Sequence, residues 1–198
     1  MVAGYSGKEV ENLERLIDQN IAVFVGPIDK YVTAGSEFKP LDFGRKAQYF
    51  TLDVITNLAY GKAFGYLATD SDAYDYIKTV EETLPAAMMA RKEVPASGGA
   101  VFGEDADVFG PERWLDSPLE KIREQEKTLE IIFAFGKYQC LGRNVALMDL
   151  NKVFVELFRR FDFSVVDPQK PIGNNTCMAT FAIYNFWVAV TRLGEGLL

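Results

Sequence analysis

Apolar residues recur along this chain at steps of three and four, and the steps mark out helices. From about Lys8 to Tyr31, Leu13, Leu16, Ile17, Ile21, Phe24, Val25 and Ile28 form one stripe, and Gly26-Pro27 should end or kink that helix. Asp42 can cap a second helix whose inner face is Phe43, Ala47, Phe50, Val54 and Leu58, with Gly61 as its stop. A third runs from about Asp72 with Tyr74, Ile77, Val80 and Leu84 inward, until Pro85. Between about Met89 and Gly103 the period stops, and Pro95, Ser97, Gly98 and Gly99 mark a loop. Pro111 suits the first position of a short helix. Leu147, Leu150, Phe154, Leu157, Phe158 and Phe161 then set out a helix from about Arg143 to Arg160. Beyond it, Phe163 to Val166 and Thr180 to Leu193 are rich in aromatic and β-branched residues and predict strands of a small antiparallel sheet. The expected class is mainly α with a small antiparallel β-sheet.

A chain of 198 residues with 48% hydrophobic residues can bury a sizeable core, roughly 70% of its unfolded surface. Its net charge of −7 argues against nucleic acid as a partner, because phosphate binding needs a basic face. No run approaches the roughly 18 apolar residues of a membrane span, and Met1 to Gly7 carries no charged and apolar leader, so the sequence reads as intracellular and soluble. The acidic run Glu104-Asp105-Ala106-Asp107 is not an EF-hand, since a loop opening at Asp105 would put Phe109 at a ligand position.

Candidate chemistry concentrates in Phe133-Ala134-Phe135-Gly136-Lys137-Tyr138-Gln139-Cys140-Leu141-Gly142-Arg143. Cys140 falls on a loop just before the Arg143 helix, whose amino end, with Lys137 and Arg143, favours an ionised sulfur. Gly136 and Gly142 flank it and leave room for a flat ligand or a close backbone. There is no histidine and only one other cysteine, Cys177, which excludes a Cys/His nucleophile pair, a zinc finger and any His-bound metal. A disulfide between Cys140 and Cys177 stays open at this point.

Phe133-x-x-Gly136-x-x-x-Cys140-x-Gly142, followed by Asn144-Val145-Ala146-Leu147-Met148, resembles the haem-ligand signature of cytochromes P450, in wording similar to the fungal, pisatin demethylase-like branch. The likeness implies that Cys140 is the proximal ligand of haem iron. It also implies that Gly136 and Gly142 shape the loop under the haem and that Phe133 packs near the sulfur. Tyr138 stands where many members carry Arg or His toward a haem propionate, and a phenol makes only a neutral hydrogen bond there. Phe109-x-Pro111-Glu112-Arg113-Trp114 looks like the family's PERW segment, whose arginine, here Arg113, pairs with an ExxR motif on an upstream helix. Gly4-Tyr5-Ser6-Gly7-Lys8-Glu9-Val10-Glu11, Asp42-Phe43-Gly44-Arg45-Lys46 and Ala59-Tyr60-Gly61-Lys62-Ala63-Phe64-Gly65 resemble the region of P450 helices C to F. The implied layout is a helical region over 1–90, a junction over 91–110, and the PERW segment, cysteine loop, helix and strands over 111–198.

Parts of the family pattern are missing. Glu120-Lys121-Ile122-Arg123 and Glu156-Leu157-Phe158-Arg159 have ExxR spacing but follow Arg113. No Ala/Gly-Gly-x-Asp/Glu-Thr segment is present, Thr33-Ala34-Gly35-Ser36-Glu37 being the nearest run, and neither Trp114 nor Trp187 has an arginine four residues on. The sequence looks like a P450, partial in fold, with the region before helix C and a block between about Met89 and Val101 removed. The resemblance implies a haem-thiolate monooxygenase of fungal secondary metabolism acting on a lipophilic small molecule. Electrons would come from NADPH through a flavoprotein reductase, and full-length relatives are membrane-anchored. From Lys137 to Arg160, five cations stand against Asp149 and Glu156, so a basic face there could meet an acidic reductase. The alternative is a truncated, non-catalytic remnant or a haem-binding or interaction module. A Cys140 redox sensor is a third reading, without a resolving cysteine nearby.

Overall fold

A computed structural model describes residues 12–33, 38–88, 103, 110–130, 133–170, 176–177, 180–181 and 185–194. Of the loop expected over 89–103 all but Gly103, and of the strand expected over 180–193 residues 182–184, lie outside the described residues.

Helix α1 spans Leu13–Val25, and at Gly26-Pro27 the chain tightens into a 3-10 turn, Gly26–Tyr31, where the sequence placed the break. The expected stripe is the core: Leu13, Ile17, Ile21, Phe24, Val25 and Ile28 are all buried. Asn20 shares that face and is satisfied locally, its amide donating to the Leu16 carbonyl at 2.8 Å while its oxygen accepts from Asn57 at 3.3 Å.

Helix α2, Phe43–Tyr60, has the caps read from sequence. The Asp42 carboxylate accepts from the Arg45 N–H at 3.1 Å, and Gly61 ends the helix at φ 70°, a left-handed conformation that a side chain resists. Phe50 and Val54 are buried, with Phe50 stacked on Phe24 at 4.9 Å. A single turn, α3 at Tyr66–Thr69, is tied to α2 by Asp53. Its buried carboxylate accepts from the N–H groups of Gly65 (2.8 Å), Tyr66 (3.1 Å) and Leu67 (2.9 Å).

The third predicted helix is α4, Tyr76–Met88, preceded by a 3-10 turn at Ala73–Asp75. Two expectations fail here. The helix continues through Pro85 instead of stopping at it, since proline deletes one N–H bond without forbidding the turns on either side. Tyr74 points outward, its backbone at φ 73° having left the helical path before α4 begins.

Helix α5 is Leu119–Glu130 and α6 is Arg143–Phe158, close to the predicted span. Strands β1 (Leu41–Asp42), β2 (Phe161–Val165) and β5 (Trp187–Arg192) form an antiparallel sheet in the order β1-β5-β2, with Phe163 opposite Val190 and Leu41 opposite Val188. A second pair joins β3 (Thr176–Cys177) and β4 (Thr180–Phe181). The long strand expected from Thr180 is thus two strands, with Asn185 between them at φ 58°. Helix α1 packs on both α2 and α6, and the sheet closes the same core through Phe161, Val188, Val190 and Leu41. Mainly α with a small antiparallel sheet is the observed class.

Candidate functional site

Between α5 and α6 the chain makes two tight turns. Ala134 (φ 53°) and Gly136 (φ 59°) are both left-handed, and at Ala134 that conformation is strained because it carries a Cβ. Gly136–Tyr138 is one turn of 3-10 helix, in which Tyr138 N–H donates to the Phe135 carbonyl at 3.2 Å and Gln139 N–H to the Gly136 carbonyl at 3.1 Å. The loop is closed by the Cys140 N–H, which donates to the Phe133 carbonyl at 2.7 Å. Arg143 N–H then meets the Cys140 carbonyl at 3.4 Å, and Ala146 N–H begins the α6 ladder on the Gly142 carbonyl at 2.9 Å.

The structure therefore brings Phe133, Gly136, Tyr138 and Cys140 into one eight-residue closure, with Gly142 next to it as the cap of α6. Cys140 is a free, exposed thiol, which settles the disulfide question left by the sequence. A Cβ added at Gly136 or Gly142 would meet nothing within 4 Å, so the loop is open on the sulfur's flanks. Phe133 touches Cys140 through backbone, while its ring lies 5.6 Å under the Arg143 guanidinium. Tyr138 is exposed with its ring 4.9 Å beneath the Lys137 ammonium, its phenol facing outward.

Arg113 is placed differently. It sits in the 3-10 turn Pro111–Trp114, as the proline predicted, and its Nε donates to the Gly110 carbonyl at 3.0 Å within that turn. That turn and the turn Gly136–Tyr138 share no extensive contact. Glu156, which has ExxR spacing to Arg159, accepts from Arg159 at 2.6 Å and Arg160 at 2.9 Å, a local cluster at the far end of α6.

Sequence counting also misjudged the charge of this region. Lys152 is held by Glu14 (2.8 Å) and Asp18 (2.6 Å) of α1, and Arg143 lies 3.8 Å from Glu130 of α5. These three acids, all outside 137–160, offset the cationic surplus counted there. What the sequence missed on α6 is Asp149. One of its carboxylate oxygens is buried without a partner, and loss of water around it raises its pKa from the ordinary 3.8 to about 6.

An open, unpaired sulfur flanked by two positions free of side-chain bulk fits a flat metallocycle approaching from one side. The described residues supply that one side. A cleft of about 500 Å³ lies elsewhere, between α1 and α6, floored by Ile21, Val25 and Phe161 and rimmed by Asp18, Lys152 and Arg160. Among the described residues no cluster of three or more His, Cys, Asp or Glu side chains that could hold a metal ion occurs. No described helix is long and apolar enough to cross a membrane.

Comparison with known proteins follows this geometry. The family model for cytochrome P450 matches residues 99–185, which contain the whole cysteine loop. The cytochrome P450 monooxygenase ABA1 of Pyricularia oryzae is 22% identical over 369 residues, covering 96% of this chain and 72% of that protein. Since 96% of 198 residues is about 190, the relative carries about 180 positions in the matched span that this chain lacks. The cytochrome P450 monooxygenase aba1 of Botryotinia fuckeliana is 43% identical over 72 residues, 36% of this chain and 14% of that protein. The cytochrome P450 monooxygenase AFLA_114810 of Aspergillus flavus is 44% identical over 95 residues, 48% of this chain and 18% of that protein. No solved structure matches the chain.

Proposed function

Given that this chain belongs to the cytochrome P450 family, we propose that Cys140 is the axial sulfur ligand of a bound haem and that the chain carries the proximal part of a haem-thiolate monooxygenase. The observation that carries the reading is the loop itself: a free, exposed thiol, closed by its own N–H on Phe133 and flanked by glycines with open space around them.

Each residue of the loop has a task in this reading. Cys140 presents sulfur to the iron. The hydrogen bond from its N–H to Phe133 and the start of α6 at Arg143 fix where the sulfur stands, so its approach needs little reordering. Gly136 and Gly142 keep the approach clear. Tyr138, outward beside Lys137, offers a neutral donor and an ammonium to carboxylate side arms of the ring. Arg113 keeps a structural role in the turn preceding α5. A haem held by these residues would supply the activation of dioxygen, one oxygen atom going to a lipophilic small molecule and the other leaving as water with two protons and two electrons, the electrons drawn from NADPH through a flavoprotein reductase. Because acids of α1 and α5 pair Lys152 and Arg143, and Glu156 holds Arg159 and Arg160, Lys137 is the basic group left to steer such a partner.

A second reading is a haem-binding remnant without turnover. It is favoured by the one-sidedness of the site and by the 180 or so positions of the relative that have no counterpart here. Titrating the chain with haem and recording the reduced, carbon-monoxide-bound spectrum tests both readings. A red-shifted Soret band that disappears in Cys140→Ser supports sulfur ligation. Unchanged haem affinity and spectrum in Cys140→Ser would overturn it. Product formation with reductase and NADPH separates the monooxygenase from the remnant.

A further inference from the structure

Helix α6 is apolar on two sides. Val153 and Leu157 are buried in the core, and beyond the first turn the charged residues Asp149, Lys152 and Glu156 are half-buried on its flank, Lys152 bridging to α1, whereas the solvent side consists of Leu150 (47% exposed), Phe154 (49%), Val155 (63%) and Phe158 (58%). Half-buried Leu147 and the amides Asn144 and Asn151 complete that side, and after Arg143 in the first turn no charge interrupts it from Leu147 to Phe158. On an ordinary surface helix the solvent side is polar, and a helix apolar on two sides is one covered on both. Phe154 stacks on Phe158 at 6.0 Å, and Phe158 meets Phe163 edge-on at 5.9 Å, so the patch runs on to the sheet. The spacing 147, 150, 154, 158 is that of a helix-to-helix seam.

We infer that this face is a self-association surface, through which two copies of the chain pair α6 against α6 about a two-fold axis near Phe154. An isologous contact suits a single stripe on one helix. Antiparallel pairing sets Leu150 of one copy opposite Phe158 of the other and Phe154 opposite its own counterpart. The area supports a second copy as the occupant. At about 200 Å² per aromatic side chain and somewhat less per Leu or Val, Leu150, Phe154, Val155 and Phe158 expose roughly 400 Å². A standard interface buries about 800 Å² per partner, of which roughly 56–65% is apolar. The patch therefore supplies most of the apolar core of such an interface, and the uncharged stretch from Leu147 to Phe158 meets itself without repulsion. In ABA1 of Pyricularia oryzae about 180 further positions are available to cover surface, and this chain lacks them. The inference does not depend on haem ligation.

Sedimentation equilibrium of the whole chain over about 1–100 μM tests it. We expect a monomer–dimer equilibrium, and a dimer dissociation constant raised at least about 100-fold in Phe154→Glu, since that change strikes the centre of the contact in both copies. Tyr60→Glu, an exposed position on α2, should leave the constant within about threefold. In a Cys140→Ser background, Phe154→Cys should oxidise to a disulfide-linked dimer, and Tyr60→Cys should not. A monomer at the highest concentration, a dimer indifferent to Phe154→Glu, or larger species insensitive to it would each overturn the inference. Far-UV circular dichroism checks that Phe154→Glu remains folded, and the cross-link reports independently if it does not.

Discussion

Replacing Asp53 should do more damage than any other single polar change on α2. The residue is 3% exposed, and its carboxylate accepts three consecutive N–H groups, those of Gly65, Tyr66 and Leu67. These are the unpaired donors that open α3, and Tyr66 and Leu67 are buried. A hydrogen bond to a charged group contributes about 1.5–3 kcal/mol, and three on one carboxylate are not additive. Asp53→Ala should therefore destabilise by about 3–5 kcal/mol, or roughly 6–20 °C in a chain of this size. Asp53→Asn keeps one acceptor oxygen but turns an NH2 toward a backbone N–H, and should lose about 2 kcal/mol. The damage should begin locally, because Tyr66 and Leu67 are buried only while α3 is held. Urea denaturation measures the total, and amide hydrogen exchange at residues 65–67 reports the local event. If Asp53→Ala stays within about 1 kcal/mol of the parent, or those amides keep their protection, the carboxylate is not what anchors α3.

Three further outcomes follow from single residues. Asp149 has a folded-state pKa of about 6 against 3.8 ordinarily, so the folded protein holds its proton more tightly. The stability it contributes is complete below about pH 4 and is lost as pH rises through about 6. The difference is roughly 3 kcal/mol at most and nearer 1–2 after allowance for water reaching a partly buried group. Asp149→Asn should therefore gain about 1 kcal/mol over the parent at pH 7.5 and nothing at pH 4, by parallel urea melts. Gly61→Ala should lose about 1 kcal/mol from backbone strain alone, as φ is 70° and nothing lies within 4 Å of the new methyl. Gly142→Ala, at φ −83° with the same open space, should leave the melting temperature unchanged yet weaken haem binding by spectroscopic titration. Equal haem affinity would mean the ring does not approach that flank.

The sequence by itself determined where elements begin and end. Asp42 and Gly61 bound α2, Gly26-Pro27 ends α1, Pro111 opens its turn, and Cys140 stands just before α6, because caps, breakers and left-handed turns act through neighbours a few residues away. It also carried the family likeness and singled out Cys140, since a glycine-flanked cysteine before an apolar helix is a local pattern. The tertiary structure decided which side of α6 faces inward. Periodicity put Leu150, Phe154, Leu157 and Phe158 on one stripe, and folding divided it, burying Leu157 and leaving the other three exposed. That choice rests on Lys152 reaching Glu14, 138 residues away, and on α1 occupying one flank only. Sequence separation also hid the α1 acids that pair Lys152, and the backbone groups that Asp53 holds, 12–14 residues on, lie beyond the reach of a local pattern. A residue's spacing fixes which neighbours share its face, but whether that face meets protein or water depends on partners brought together only by the fold.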